Sequence, residues 1–370
     1  MIAFLGWLDR SERERERMRQ IIQMFHQRDA RDELGIGAIR DSIADRLFPG
    51  TSTIQTRLHY FLFVPWIFRH FERHPVAPSQ IRERVRQAEV RLIDALLAGA
   101  GDDDGIIGRE SRDQLQQLPS YVYWSGLGSW GIRRVPGPLE AYFRGYPPDT
   151  DTQDAPWHPD LPEPPEDLFQ TADFTLRDDE ARFLRQRVVE TNPDSLLAEL
   201  MRRDGHANVT YVWQHPDVPS MPDHLQRLLD HARRFSFVME GAVYLYNVMV
   251  AELLEWDEAL ERHRANLQSW YDNLDPMDLK AWDRRDFWAA VCHPHHIITP
   301  PTQRFVAQWH DLLCDNPGAH DSDDARALIR SREARKGPQS RLYHADARAR
   351  WGGASQAGRL RFRWPVVRGF

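Results

Sequence analysis

The sequence predicts a mainly α-helical protein built in two parts. Three observations carry that expectation. Apolar residues in the longer segments recur at steps of three and four, the period of a helix. No segment alternates apolar and polar residues as a half-buried strand would. One acidic, proline-rich stretch near the middle suits neither element.

The elements follow in chain order. Ser11 and Glu14 form an S-x-x-E capping box ahead of Met18, Ile21, Ile22 and Phe25, so a helix is expected over SERERERMRQIIQMFHQR. Ile36, Ile39, Ile43 and Leu47 give a second helix, ending at Phe48-Pro49-Gly50. Residues 47–68, LFPGTSTIQTRLHYFLFVPWIF, read as a turn, a hydroxyl cap at Thr51 to Thr53, and a largely buried helix that Pro65 kinks or ends. A P-loop would need a second glycine, a lysine and a preceding strand. A membrane span would need about 20 apolar residues, and the run from Leu58 to Phe68 is shorter and includes His59. Ser79 opens a third helix, closed by Gly101.

Residues 147–167, PPDTDTQDAPWHPDLPEPPED, hold seven prolines and seven acidic residues with no Lys or Arg, the composition of a linker. The expected organisation is therefore an N-terminal helical domain over 1–146, a linker or loop over 147–167, and a C-terminal helical domain over 168–370. Within the last, PDHLQRLLDHARRFSFVMEGAVYLYNVMVAELLEW reads as one long helix, with further helices around 287–292, 303–314 and 322–335. A short strand is expected near the C-terminus.

Composition bounds the class. At 370 residues, 41% hydrophobic and 28% charged, the chain is an ordinary globular protein rather than a disordered one. The N-terminal apolar run stops at Leu8 without a basic region before it, so a cytoplasmic location and no membrane partner are expected. Cys292 and Cys314 give no disulfide framework.

RDELGIGAIRDSIADRLFPGTSTIQTRLHYFLFVPWIF, IIGRE, LPSYVYWSGLGSWGIRR, ARRFSFVMEGAVYLYNVMVAE, LIRSREARKG and RFRWPVV together resemble a bacterial family catalogued only as a domain of unknown function. The resemblance covers nearly the whole chain. It implies a setting in prokaryotic antiviral defence islands, beside helicase and phospholipase-D-like nuclease genes. It supplies no catalytic residues.

The constellations that could carry chemistry each have a plainer reading. Gly126, Gly128 and Gly131 spell G-x-G-x-x-G, but Pro136 leaves no room for the helix of a dinucleotide fold. They read as a helix-turn or packing element, with a winged-helix-like module as one form it could take. GDDDGIIGRE lacks the first and last ligands of a calcium loop and reads as an acidic turn. Cys292, His293, His295, His296, His310 and Cys314 have no usual zinc spacing, so no metal and no cofactor are expected. Asp278 and Lys280 match the D-x-K half of a nuclease motif, on a helix start rather than on strands. Glu240, Tyr244, Asn247 and Glu252 interrupt the long helix and are expected to bond internally.

The charge is unevenly placed. From Ser331 to Phe370 nine arginines and Lys336 face only Glu333 and Asp346, a local +8 in a chain of net −7, leaving −15 elsewhere. Arginine binds phosphate and aromatics stack bases, so Arg359, Arg361, Arg363, Arg368 and Trp364 are candidate nucleic-acid contacts. Arg57, beside the expected cap, is a further candidate for an anion at a helix start. The expected function is a non-catalytic accessory subunit of an antiviral system that binds DNA or docks helicase or nuclease partners. A nuclease or other hydrolase with an unrecognised site, and a pure scaffold, stand as alternatives.

Overall fold

A computed structural model describes residues 34–335 apart from 101–104, 116, 147–154, 204–206, 208, 254–256 and 294. Thirteen α-helices occur among the described residues, with no strand; two isolated bridges, Arg133–Trp157 and His293–His296, are the extended pairings. The mainly helical fold class therefore holds. A winged helix finds no β-wing among these residues. The expected N-terminal helix over 11–28 and the expected C-terminal strand lie outside them.

The chain forms two compact units. Unit 1 takes Ala44–Asp217 and unit 2 takes Val218 onward together with the segment ending at Ile43, so the division falls within α1 (Gly37–Leu47). This differs from the expected break at 147–167. Trp157 and Leu161 are buried in unit 1, and the Pro162 carbonyl accepts the indole N–H of Trp66 at 2.6 Å. Proline prevents regular structure but not packing, and the aromatic and leucine side chains between the prolines hold the segment down.

Unit 1 is organised around α2 (Tyr60–Arg73), where every residue from Tyr60 to Phe68 is buried. Its ring of aromatic contacts includes Phe61 stacked on Trp130 at 3.8 Å and Phe68 packed among Trp124, Tyr142, Phe143 and Trp157. α3 (Ile81–Gly99) and α4 (Pro119–Ser129) pack against it. α5 (Leu139–Arg144), α6 (Asp178–Thr191) and α7 (Leu196–Arg202) complete the unit.

Two details of 47–68 differ from expectation. The helix begins at Tyr60, not after Thr53, because the Tyr123 hydroxyl accepts from the Thr56 and Arg57 amides (2.8 and 3.1 Å) and donates to the Arg57 carbonyl. Those groups are held in a loop. Pro65 does not end the helix, which continues to Arg73. The glycine motif is a packing element. A Cβ on Gly126 would lie 2.4 Å from the Gly50 carbonyl oxygen, and Gly131 adopts φ +63°, a conformation that side chains disfavour.

Unit 2 is built on α8 (Asp223–Leu253), the long helix expected from sequence. α9 (Asp257–Asp272) lies along it, with the Trp270 ring against Gly241 and its indole N–H donating to the Phe237 carbonyl at 2.8 Å. α10 (Pro276–Lys280), α11 (Arg284–Val291), α12 (Pro300–Asp315) and α13 (Asp323–Ala334) follow. The Trp309 indole donates to the Val238 carbonyl at 2.8 Å, fixing α12 to α8. The early segment is tied in by Ser42, which donates to the Val291 carbonyl at 2.6 Å, and by Arg332, which donates to the Leu34 and Gly35 carbonyls.

Candidate nucleic-acid interface

A groove of about 680 Å³ opens in unit 1 between the end of α2 and the first half of α3. Its shape follows from local sequence. α2 stops at His74 because Pro75 cannot continue it, and Pro78 sits in a turn, closed by the Gln80 amide donating to the Ala77 carbonyl at 2.8 Å, that leads into α3. The Tyr146 hydroxyl then staples the turn, donating to the Phe71 carbonyl (2.8 Å) and accepting from the Val76 amide (3.2 Å).

α3 presents Arg84, Gln87 and Arg91 to the groove at steps of three and four, one face of the helix. α2 contributes His70, with His74 just beyond its end. Arg84 and Arg91 are exposed, and neither pairs with a carboxylate among the described residues. Arg91 lies over the Phe169 ring, 5.1 Å from its centroid. Glu83 is the carboxylate in the lining, and it accepts from Gln87 at 3.0 Å.

The electrostatics record the surplus of positive charge. His70 is held below the usual histidine range, first by burial and then by its neighbours His74 and Arg91. The rings of His70 and His74 lie 4.9 Å apart. By contrast, Arg69 and Arg73 of the same helix share one carboxylate partner, Glu163, which their hydrogen bonds and charge hold below the usual carboxylate range.

Arg57 is not at a helix start open to solvent. It is 3% exposed, lies over the Phe174 ring at 5.4 Å, and packs its side chain against Gly105. Arg359, Arg361, Arg363, Arg368 and Trp364 lie outside the described residues. The start of the basic stretch is described, and there Arg332 bonds internally.

Asp278 accepts two hydrogen bonds from Arg233 (2.8 and 2.9 Å), which hold its carboxyl below the usual range, so it forms one half of an ion pair. Among the described residues no group of three or more His, Cys, Asp or Glu could hold a metal. Cys314 Sγ sits 3.6 Å from His310 Nε2, which itself lies 2.9 Å from the Leu279 carbonyl, while Cys292 is exposed. In the long helix, Tyr244 donates to Glu240 at 2.6 Å and Glu252 pairs with Arg264 and Arg326. None of the described helices is long and apolar enough to cross a membrane.

The groove was not among the sequence-based candidates. Its signal, arginines seven apart on SQIRERVRQAEVRL, is also the pattern of any solvated helix face. What sets Arg84 and Arg91 apart is the lack of described carboxylate partners, a tertiary property.

A family model described as a family of unknown function (DUF6361) matches residues 2–370, and the chain belongs to that family. No curated protein and no solved structure matches it.

Proposed function

We propose that this protein is a cytoplasmic, non-catalytic accessory subunit of a prokaryotic antiviral system, which binds DNA and brings it to helicase or nuclease partners. The observation that carries the reading is the α2–α3 groove, where exposed Arg84 and Arg91 stand beside two histidines without described carboxylate partners. Each exposed guanidinium without a described carboxylate partner is a positive charge that an anion can pair with. Arginine adds planar, paired donors that match phosphate oxygens. The C-terminal stretch from Ser331, at +8, is a second basic element in a chain whose remainder is acidic. The defence setting rests on the sequence resemblance alone.

The test is DNA binding by the purified chain at rising salt, with DNA cleavage followed in parallel with and without magnesium. Salt-sensitive binding without cleavage is expected. Cleavage that disappears on chelation would replace this reading with a nuclease. Absence of binding together with capture of a protein partner would replace it with a scaffold.

A further inference from the structure

We infer that the α2–α3 groove holds a single strand of nucleic acid, with phosphates on Arg84 and Arg91 and unpaired bases on the rings beside them. The inference rests on the nucleic-acid reading above and adds the form of the ligand.

The cations set the first requirement. Seven residues at about 1.5 Å rise separate Arg84 from Arg91 by roughly 10 Å along α3. They are thus two separate contacts on an extended chain rather than one clamp on a single anion. The Arg91 guanidinium carbon lies over the Phe169 ring, 5.1 Å from its centroid, a cation–π contact that holds the group beside the groove while its N–H donors can face a phosphate.

The rings set the second. His70 and His74 line the groove with their rings 4.9 Å apart, and Phe169, 5.7 Å from His70, stands beside it, so three rings neighbour the cations. Phe169 is half-buried and His74 exposed, which leaves ring surface for a planar ligand. Such platforms next to phosphate contacts are useful to a strand whose bases are unstacked. A duplex offers phosphates on a convex surface with its base faces turned inward, so it reaches the arginines without using the rings. Glu83 is the opposing charge, and its bond to Gln87 holds it along the helix.

The experiment is fluorescence anisotropy of the full chain with dT and rU 12-mers and with a 12-base-pair duplex, over a range of salt. The variants are Arg84→Gln/Arg91→Gln, His74→Ala, Phe169→Ala and a four-site Arg359/Arg361/Arg363/Arg368→Gln chain. Each must first show the parent's circular dichroism and melting. The arginine pair should weaken single-strand binding and flatten its salt slope by about 1.4, from 0.7 per lost contact. His74→Ala or Phe169→Ala should weaken single-strand binding by roughly tenfold without altering the slope. Since His74 is exposed, it keeps the test open should Phe169→Ala unfold. Preference for dT or rU separates DNA from RNA, and either supports the inference.

Equal losses on duplex and single strand in the His74→Ala and Phe169→Ala chains would overturn it, as would full competition by inorganic phosphate or free nucleotide at micromolar levels. Loss of all binding in the tail variant, with none in the groove variants, would overturn it while leaving the nucleic-acid reading intact. Failure of the parent chain to bind any of the three probes would remove both.

Discussion

Glu89 gives the sharpest test of the interior of unit 1. It sits on α3 with 0% exposure, accepting from the Ser120 amide at 2.6 Å and from the Ser120 hydroxyl at 3.1 Å. Burial pushes its carboxyl up to about 8, against the opposing effect of the Ser120 bonds and the Arg86 charge. The sign follows directly. The folded chain holds the proton more tightly than the unfolded chain, where a glutamate titrates near 4.5, so stability is full below 4.5 and falls as pH rises towards 8. At about 1.4 kcal/mol per pH unit, the full loss is on the order of 4–5 kcal/mol, and roughly 2–3 kcal/mol of it falls between pH 5 and 7. Glu89→Gln keeps the size of the neutral acid and removes its titration. Urea unfolding of both chains from pH 5 to 9 should show the variant gaining on the parent through this window and levelling beyond about pH 8. A difference that stays constant with pH would show that Glu89 is ionised in the fold, and the reasoning would fail.

The other predictions concern packing and charge. Phe61→Ala removes the ring stacked on Trp130 and should cost about 3–5 kcal/mol in denaturant unfolding; an unchanged midpoint would contradict the buried-helix reading. Gly126→Ala places a Cβ 2.4 Å from the Gly50 carbonyl oxygen and should cost about 1–3 kcal/mol or more. Gly145→Ala, whose Cβ meets nothing nearer than 3.5 Å, should change stability by no more than about 0.5 kcal/mol, and similar losses at both sites would sink the close-approach explanation. Neutralising Arg359, Arg361, Arg363 and Arg368 should flatten the salt slope on duplex DNA by about 0.9 per lost contact, with Trp364→Ala leaving the slope unchanged.

Several helices were legible from the apolar period of one face, whereas α6 and α9, more heavily charged, were not read from the sequence. Ile36, Ile39, Ile43 and Leu47 marked α1, and the long run around Phe235 to Met249 marked α8. What local sequence could not show was competition from distant partners. The start of α2 moved to Tyr60 because Tyr123, 66 residues away from Arg57, occupies the backbone groups of the preceding loop. The prolines of 147–167 signalled irregular chain, yet Trp157 and Leu161 carried its described part into unit 1. The candidate groove was hidden for the same reason. Arg73 and Arg91 look alike in sequence, and only the position of Glu163 gives a carboxylate partner to one and not the other.

The tie between residues 34–43 and the far end of unit 2 has a consequence for how the protein is made. Ser42 bonds to Val291, 249 residues later, and Arg332 bonds to Leu34, 298 residues earlier. On the ribosome, residues 34–43 emerge before their partners in unit 2 and must wait while all of Ala44–Asp217 is synthesised. Unit 2 can close only once α13 has been synthesised. An expression fragment beginning at Val218 would lack Ser42 and the Leu34 and Gly35 carbonyls, leaving Arg332 without those acceptors. Supplying residues 34–43 as a separate peptide should restore it, as strand or helix complementation restores other proteins cut at a discontinuous junction.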